Sequence, residues 1–393
     1  MKKQGITILI HTTSSCNLDC GYCYCQENKG ISNNITFEVF RTCIAKIDDF
    51  LEPHYEICII FHGGEPLLLG VEFYKQAFRF LKSGLKHKYS TGIQTNLTLL
   101  NEQFTQVFQE NNCGIGTSLD GNKFSHNSYR KYSNGKGTYE KVIEKMRILQ
   151  ESKIEYGIVS VINEYNILDP VGYYSFLKEY PNARFRLNPM FIVKTNKAYA
   201  VNPEAFGNFL IRLYDLWMLD KQPPKITSFE DIINNFIGKK HSSVCTFLAD
   251  CSKSFYTLDS VGNVYPCCHF VRNPEFRYGN LLDSPFSKII TSDVRSHISQ
   301  RTDQTQKLCH ACEFYELCFS GCMVNTTNGI YNKDYFCYAY KMIFKHIGQS
   351  LEKFLIRLKG PASLRVLMSK QHQPPITAIS ASNANHRSDE GTV

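Results

Sequence analysis

Three cysteines stand close together near the N-terminus, in the run Cys16-Asn-Leu-Asp-Cys20-Gly-Tyr-Cys23. Thiolates are soft metal ligands, and a Cys-x3-Cys-x2-Cys spacing puts three of them on one loop. There they can hold three irons of a 4Fe–4S cube and leave the fourth iron open. Zinc prefers four protein ligands, and the nearest further thiol, Cys25, is only two residues on. Structural thiols or a zinc knuckle are the plainer alternatives. A denser group follows: nine of the 16 cysteines fall between Cys245 and Cys337, namely Cys245, Cys251, Cys267, Cys268, Cys309, Cys312, Cys318, Cys322 and Cys337. Read without further context, eight of these could equally form two zinc sites in a cross-brace. Zinc alone leaves the N-terminal triad unexplained.

The setting favours metal over disulfides. The chain has 393 residues, 43% of them hydrophobic and 20% charged, with a net charge of +8, as for a folded globular protein. The basic N-terminus MKKQGITILIHTT has too short an apolar stretch for a signal peptide. No apolar run approaches the roughly 18 residues of a membrane span. A cytoplasmic location is expected, where thiols stay reduced. The positive charge is spread along the chain, without a Lys/Arg block or a nucleic-acid-binding motif, so neither nucleic acid nor membrane is an expected partner.

Elements must hold these thiols in place. Strand-like runs at Ile6–His11, Glu56–Phe61, Ser90–Gln94, Gly114–Leu119, Tyr156–Val161 and Arg184–Leu187 alternate with helix-like stretches. Those lie at Thr36–Leu51, Val71–Leu85, Asn101–Asn111, Thr138–Glu151, Pro170–Tyr180 and Pro203–Leu219. Six βα units predict an α/β fold with a parallel sheet curled into a partial (βα)6 TIM-like barrel. The active site should lie at the C-terminal ends of its strands. From about His241 the pattern changes to short strands, turns and cysteines, a second domain built around ligands. Expected boundaries are 1–235 for the barrel, 240–345 for the cysteine-rich domain, and 346–393 for a closing helix and tail. Gln371–Val393, poor in large apolar residues, reads as disordered.

The cysteine triad with Tyr22 resembles the signature of the radical S-adenosylmethionine (radical SAM) superfamily. Phe61-His-Gly-Gly-Glu-Pro66 resembles its GGEP motif, in which Gly63, Gly64 and Glu65 would receive the cofactor's ammonium. Gln94-Thr-Asn96 ends the third strand, with Leu97 where relatives usually carry Gly. Thr117-Ser118-Leu-Asp120-Gly121 ends the fourth, with Arg130 at the family's usual interval. The resemblance gives cofactor-binding roles to Tyr22, Asn96, Ser118 and Arg130, and implies a 5′-deoxyadenosyl radical that takes hydrogen from an unactivated carbon. The C-terminal cysteines, with Gly262, resemble a SPASM domain. By that resemblance Cys245, Cys251, Cys267 and Cys322 would hold one auxiliary 4Fe–4S cluster, and Cys309, Cys312, Cys318 and Cys337 another. Three 4Fe–4S clusters and S-adenosyl-L-methionine are then the expected cofactors. Fully ligated auxiliary clusters suit electron transfer.

One departure stands out. Cys268 follows Cys267 where anaerobic sulfatase-maturating enzymes, the similar SPASM proteins, carry an Asp that acts as base. The expected enzyme is therefore a maturase of ribosomally made peptides that forms an oxidative cross-link of the cyclophane type. Formylglycine formation and thioether formation are the same-class rivals, and a zinc-stabilised binding protein is the rival outside enzymes. A precursor peptide, docking on the barrel or SPASM domain, and a flavodoxin or ferredoxin as electron donor are the expected partners. Cys25, Cys43, Cys58 and Cys113 are expected as core thiols. No catalytic side chain declares itself.

Overall fold

The computed structural model describes residues 4–25, 33–152, 154, 156–194, 197–238 and 245–359. The first half runs β1 (Gln4–His11), α1 (Phe37–Phe50), β2 (Tyr55–His62), α2 (Val71–Gly84), β3 (Lys88–Gln94), α3 (Glu102–Glu110) and β4 (Gly114–Ser118). It continues with α4 (Lys123–Tyr129), α5 (Tyr139–Glu151), β5 (Tyr156–Ile162), α6 (Pro170–Lys178) and β6 (Arg184–Pro189). Strands β1 to β6 lie side by side in sequence order and all pair in parallel, the sheet of the expected partial barrel. A hairpin, β7 (Phe191–Lys194) and β8 (Lys197–Ala200), then leads into α7 (Pro203–Leu219). Next come β9 (Lys225–Ile226), paired with β6, and α8 (Thr227–Phe236).

Side-chain alternation fixes which face does what. Outward-facing Ile8, Ile10, Ile59, Phe61, Ile93, Ile115 and Ile158 are buried beneath the helices. Phe61 meets Phe40, Phe73, Tyr74 and Phe78 edge-on or tilted, with ring centroids 5.3–6.2 Å apart. Removing one such ring would cost about 3–5 kcal/mol. The inward face, with Thr7, Leu9, Cys58, Ile60 and Val159, lines a cavity instead. Cys25, Cys43 and Cys113 are buried as expected, but Cys58 is not a core thiol, because its strand phase turns it to the cavity side. Helix entries are capped by short polar side chains: Thr36, Asn101, Asn122, Asp169 and Asn202 each accept a backbone N–H from the first turn, worth about 1 kcal/mol apiece.

The cysteine-rich part contains β10 (Phe255–Leu258), β11 (Asn263–Tyr265), β12 (Gly279–Asn280), α9 (Phe286–Ile290), α10 (Asp293–Ser299), α11 (Arg301–Cys309), α12 (Tyr315–Cys318) and α13 (Cys337–Lys359). Sheet pairing crosses the boundary that the sequence places at 235–240. β10 pairs in parallel with β1, Thr7 opposite Phe255 and Ile10 opposite Leu258, so one ten-stranded sheet runs through both parts. Met1–Ile347 forms one compact unit and Gly348–Val393 another, of which the C-terminal part of α13 is described. The stretch Gln371–Val393 lies outside the described residues. Among the described residues no helix is long and apolar enough to cross a membrane.

Candidate active site

The loop carrying Cys16, Cys20 and Cys23 leaves the C-terminal end of β1 and is held from two sides. On one side lies the turn after β2. Gly64 N–H donates to the Thr13 carbonyl at 2.7 Å and Glu65 N–H to the Ser15 carbonyl at 2.9 Å. The approach is so close that a Cβ on Gly63 would sit 2.5 Å from the Thr13 oxygen, and one on Gly64 only 2.2 Å from that of Ser15. Gly63 also has φ +135°, a backbone state side chains resist. The paired glycines are thus required by the protein's own backbone, whatever else they contact. On the other side, Asp19 and Gly21 N–H donate to the carbonyls of Lys131 and Tyr129, at 2.7 and 3.0 Å.

All three thiols line the cavity, whereas Cys25 lies buried behind them on the Gly63 carbonyl. Burial pushes the Cys16 thiol up to about 12, and the charges of Glu65, Cys20 and Cys23 add to this. Such a thiol ionises only beside a cation, so the donor set suits a metal centre. Among the described residues no three His, Cys, Asp or Glu side chains converge on a point for one metal ion. A lone zinc needs all its sulfurs about 2.3 Å from one point, whereas a cube gives each thiolate its own iron.

Glu65 departs from its expected orientation. Its carboxylate is fully buried and occupied by protein: Oε1 accepts Leu67 N–H at 3.0 Å and Thr95 Oγ1–H at 2.6 Å, and Oε2 accepts Asn96 N–H at 2.7 Å. Gly63, Gly64 and Asn96, not Glu65, border the cavity. Asn96 itself braces the cysteine loop, its Nδ2 donating to Asn17 Oδ1 at 2.9 Å and to Cys16 Sγ at 3.7 Å. Leu97, which follows, has φ +69° and is wholly buried. The left-handed turn that a glycine makes freely is made here by a leucine, at roughly 1–2 kcal/mol.

Ser118 ends β4 on the cavity wall, its Oγ accepting from Gln94 Nε2 at 3.3 Å. Arg130 also reaches the wall, but its guanidinium is tied down by Asp120: Nε to Oδ2 at 2.8 Å, Nη2 to Oδ1 at 3.3 Å. Asp120 further accepts the Val161 N–H at 2.9 Å and the Tyr22 hydroxyl. This carboxylate, 0% exposed, is a positioning residue the sequence reading passed over. Its place between Ser118 and Arg130 in the same motif was the available signal.

Eight of the nine C-terminal thiols fall into two groups, and the ninth, Cys268, has its sulfur 4.0 Å from that of Cys267. Cys322 feels the charges of Cys245 and Cys251, Cys251 that of Cys245, and Cys267 that of Cys322. Cys318 feels Cys337, Cys312 and Cys309, and Cys337 feels the last two as well. Cys318 and Cys322 serve different groups although four residues apart, because Phe319, Ser320 and Gly321 take φ of 47°, 71° and 74° and turn the chain sharply. Asp334 pins the far end of that turn through Cys322 N–H at 2.8 Å.

The cavity, about 690 Å³, extends from the Cys16–Cys23 loop to the first of these groups, with Cys245, Cys251, Cys267 and Cys322 on its wall. Between them stand Tyr24, His62, Cys268 and His269. The Tyr24 ring stacks on His269 at 3.8 Å, and the Nδ1 of His62 accepts Gly63 N–H at 2.7 Å, which leaves its proton on Nε2. Among the described lining residues the one carboxylate is Asp250, whose Oδ1 is held by Ser252 N–H and Oγ–H at 3.0 and 2.6 Å.

Comparison with known proteins agrees with this geometry. Residues 10–176 match the model of the radical SAM superfamily, and residues 250–313 that of the SPASM iron-sulfur cluster-binding domain. A cysteine-type anaerobic sulfatase-maturating enzyme of Clostridium novyi is 32% identical over 370 residues, 87% of this chain and 95% of the relative. The chain belongs to the radical SAM–SPASM family. As a radical SAM–SPASM protein it is an enzyme, with iron–sulfur centres and S-adenosylmethionine as cofactors. A serine-type anaerobic sulfatase-maturating enzyme of Bacteroides thetaiotaomicron is 28% identical, over 89% of this chain and 91% of its own. The solved structure of native anSMEcpe with bound AdoMet superposes with a TM-score of 0.80 at 25% identity, covering 88% of this chain and 98% of that one. SuiB of Streptococcus suis, bound to S-adenosylmethionine, shares the fold at a TM-score of 0.61 and 14% identity, with 85% of this chain and 77% of that one covered.

Proposed function

We propose that this radical SAM–SPASM enzyme oxidises a side chain of a ribosomally made peptide and closes a cross-link of the cyclophane type, from an aromatic ring to a β-carbon. Cys16, Cys20 and Cys23 would hold the cluster that binds S-adenosylmethionine, and the two C-terminal groups of four would hold the auxiliary clusters, three 4Fe–4S clusters in all. When bound, these cofactors supply the one-electron chemistry that removes a hydrogen atom from an unactivated carbon. The Gly63–Gly64 backbone, Asn96, Ser118 and Arg130 border the space where the cofactor would lie, with Tyr22 and Asp120 fixing the direction of Arg130. Glu65 contributes by shaping the turn.

The reading rests on one observation: a thiol, Cys268, occupies the cavity wall beside Tyr24 and His62, and among the described lining residues the one carboxylate is Asp250, already held by Ser252. Forming an aldehyde from a serine or cysteine needs a base to take the side chain's O–H or S–H proton, and a free carboxylate is the simple provider. Closing a carbon–carbon bond to a ring also releases one proton, but it leaves the ring carbon of an acidic radical adduct after the bond has formed, and water can take it. The stacked Tyr24 and His269 add a flat apolar wall suited to an aromatic substrate side chain. A peptide substrate fits the company the chain keeps, since one similar structure, native anSMEcpe, holds a Cp18Cys peptide and another, SuiB of Streptococcus suis, its precursor peptide SuiA. Electrons would come from a flavodoxin or ferredoxin.

A second reading, sulfatase maturation, is favoured by the names of the relatives that match over nearly their full length. The deciding experiment incubates anaerobically reconstituted enzyme, separately, with a sulfatase-motif peptide and with a panel of aromatic-rich peptides. Loss of two hydrogens with a new ring-to-carbon linkage on fragmentation is expected. An aldehyde trapped by hydrazine on the sulfatase peptide alone would overturn the cross-linking assignment.

A further inference from the structure

Arg186 is a barrel residue that reaches the cysteine-rich half. It projects from β6 to the cavity wall, its Nε donating to Asn188 Oδ1 at 3.3 Å and its Nη2 to Cys245 Sγ at 3.4 Å. A guanidinium keeps its charge at any working pH, and on the cavity wall it stands with Cys245, Cys267 and Cys322. These are three of the four residues of the first auxiliary group. Among the described residues the second group has no counterpart: the cations acting on Cys337, Lys341 and Lys333, are both exposed to solvent. Arg301 does not discriminate, because it lies among Cys322, Cys251 and Cys309 and so faces both groups.

We propose that Arg186 raises the electron affinity of the centre held by Cys245, Cys251, Cys267 and Cys322 above that of the second auxiliary centre, and so makes it the acceptor of the substrate's electron. Adding one electron to a thiolate-ligated cluster adds one negative charge, and a nearby cation stabilises the more negative form. The effect is larger in a buried setting than through water and salt, and hydrogen bonds to cluster sulfurs are a known lever on potential. In the oxidation, the substrate radical gives up one electron and one proton as its new bond closes. The electron enters this centre at the cavity wall, and the proton passes to water in the cavity. The inference rests on the grouping of these four cysteines and is independent of which peptide is bound.

The test contains no substrate, so its failure is separate from failure of the cross-linking assignment. Both auxiliary couples are followed by EPR-monitored redox titration in full-length protein carrying C16A, C20A and C23A, which removes the third signal. Arg186→Lys, Arg186→Gln and Arg186→Met are compared in that background. One couple should fall by at least tenfold in its reduction equilibrium, about 59 mV for one electron, in the Gln and Met variants. Lys should retain most of the original value, and the other couple should stay in place. Adding C312A and C318A, which removes the second centre, should leave the couple that moves. Two unmoved couples, or two that shift together, would overturn the proposal. A Gln variant with the original potential would also sink it, by showing that an N–H donor suffices without charge. If the Met variant fails to load iron, Gln against Lys still decides.

Discussion

Arg130 meets Tyr22 face-on: the guanidinium carbon lies 5.2 Å from the centroid of the Tyr22 ring, while the Tyr22 hydroxyl and the guanidinium share the carboxylate of Asp120. A residue of the cysteine loop is thereby locked to the end of α4 through a carboxylate on the β4 rim. Asp120→Ala would leave the Arg130 charge buried without its partner, a loss of about 3–5 kcal/mol in comparable cases. The expected outcome is a lower unfolding midpoint and weaker S-adenosylmethionine binding, measured anaerobically by calorimetry. Asp120→Asn, which keeps the shape, should fall between the two.

Gly64→Ala should damage the metal site without touching a thiol. The new methyl would sit 2.2 Å from the Ser15 carbonyl oxygen, so the loop bearing Cys16 must move away. Iron content after reconstitution should drop by about four per chain, the complement of one cube, while the auxiliary signals persist. Gly5→Ala is the control for space, since a Cβ there would meet only the Glu56 carbonyl oxygen, at 3.8 Å, an ordinary contact.

Metal analysis checks the division of the cysteines. The wild type should carry about twelve irons and lose about four when Cys16, Cys20 and Cys23 become alanine, and four again when Cys312 and Cys318 do. Stoichiometric zinc with little iron would instead identify a cysteine-rich binding protein.

Stability should depend on pH through His126. Burial holds this side chain down to about 4, against 6.5 when unfolded; its Nδ1 faces the Asp120 N–H at 3.4 Å and its Nε2 the Thr138 hydroxyl at 3.0 Å. Between those values the unfolded chain takes up the proton and the folded one refuses it. The contribution of His126 is therefore complete above pH 6.5 and is lost as pH falls toward 4, by about 3 kcal/mol. Glu65, raised by burial to about 7 from 4.5, runs the other way: its contribution is complete below 4.5 and lost as pH rises through 7. Denaturant titrations of the wild type and of His126→Gln should show a shallower acid slope in the variant.

The six strands and the six long helices were legible because apolar residues keep a period along each, as in Ile6, Ile8 and Ile10 of β1. Cysteine spacing announced the loops of the site, since three thiols in eight positions have few plain structural uses. What stayed hidden was direction. Sequence gives Glu65 as a carboxylate in a glycine-rich turn, and only the fold shows it turned toward Thr95 and Leu67 and away from the cavity. Cys58 was misplaced for a related reason: the run Ile57–Phe61 is apolar on both faces, so its strand phase cannot be read from composition. Arg186 escaped notice because its partner Cys245 is far away in sequence, and pairings of that reach leave no local pattern.

The parallel pairing of β10 with β1 has a further consequence, for synthesis. The strand that covers one edge of β1 is made roughly 250 residues after it, on the order of ten to fifty seconds later at ordinary elongation rates. Through that interval the edge offers unpaired N–H and C=O groups to any neighbouring chain. Nascent chains that stop before Phe255 keep this exposed edge for good. The barrel half expressed alone is thus expected to pair with itself and precipitate, and the cysteine-rich half acts as the barrel's own protective cover.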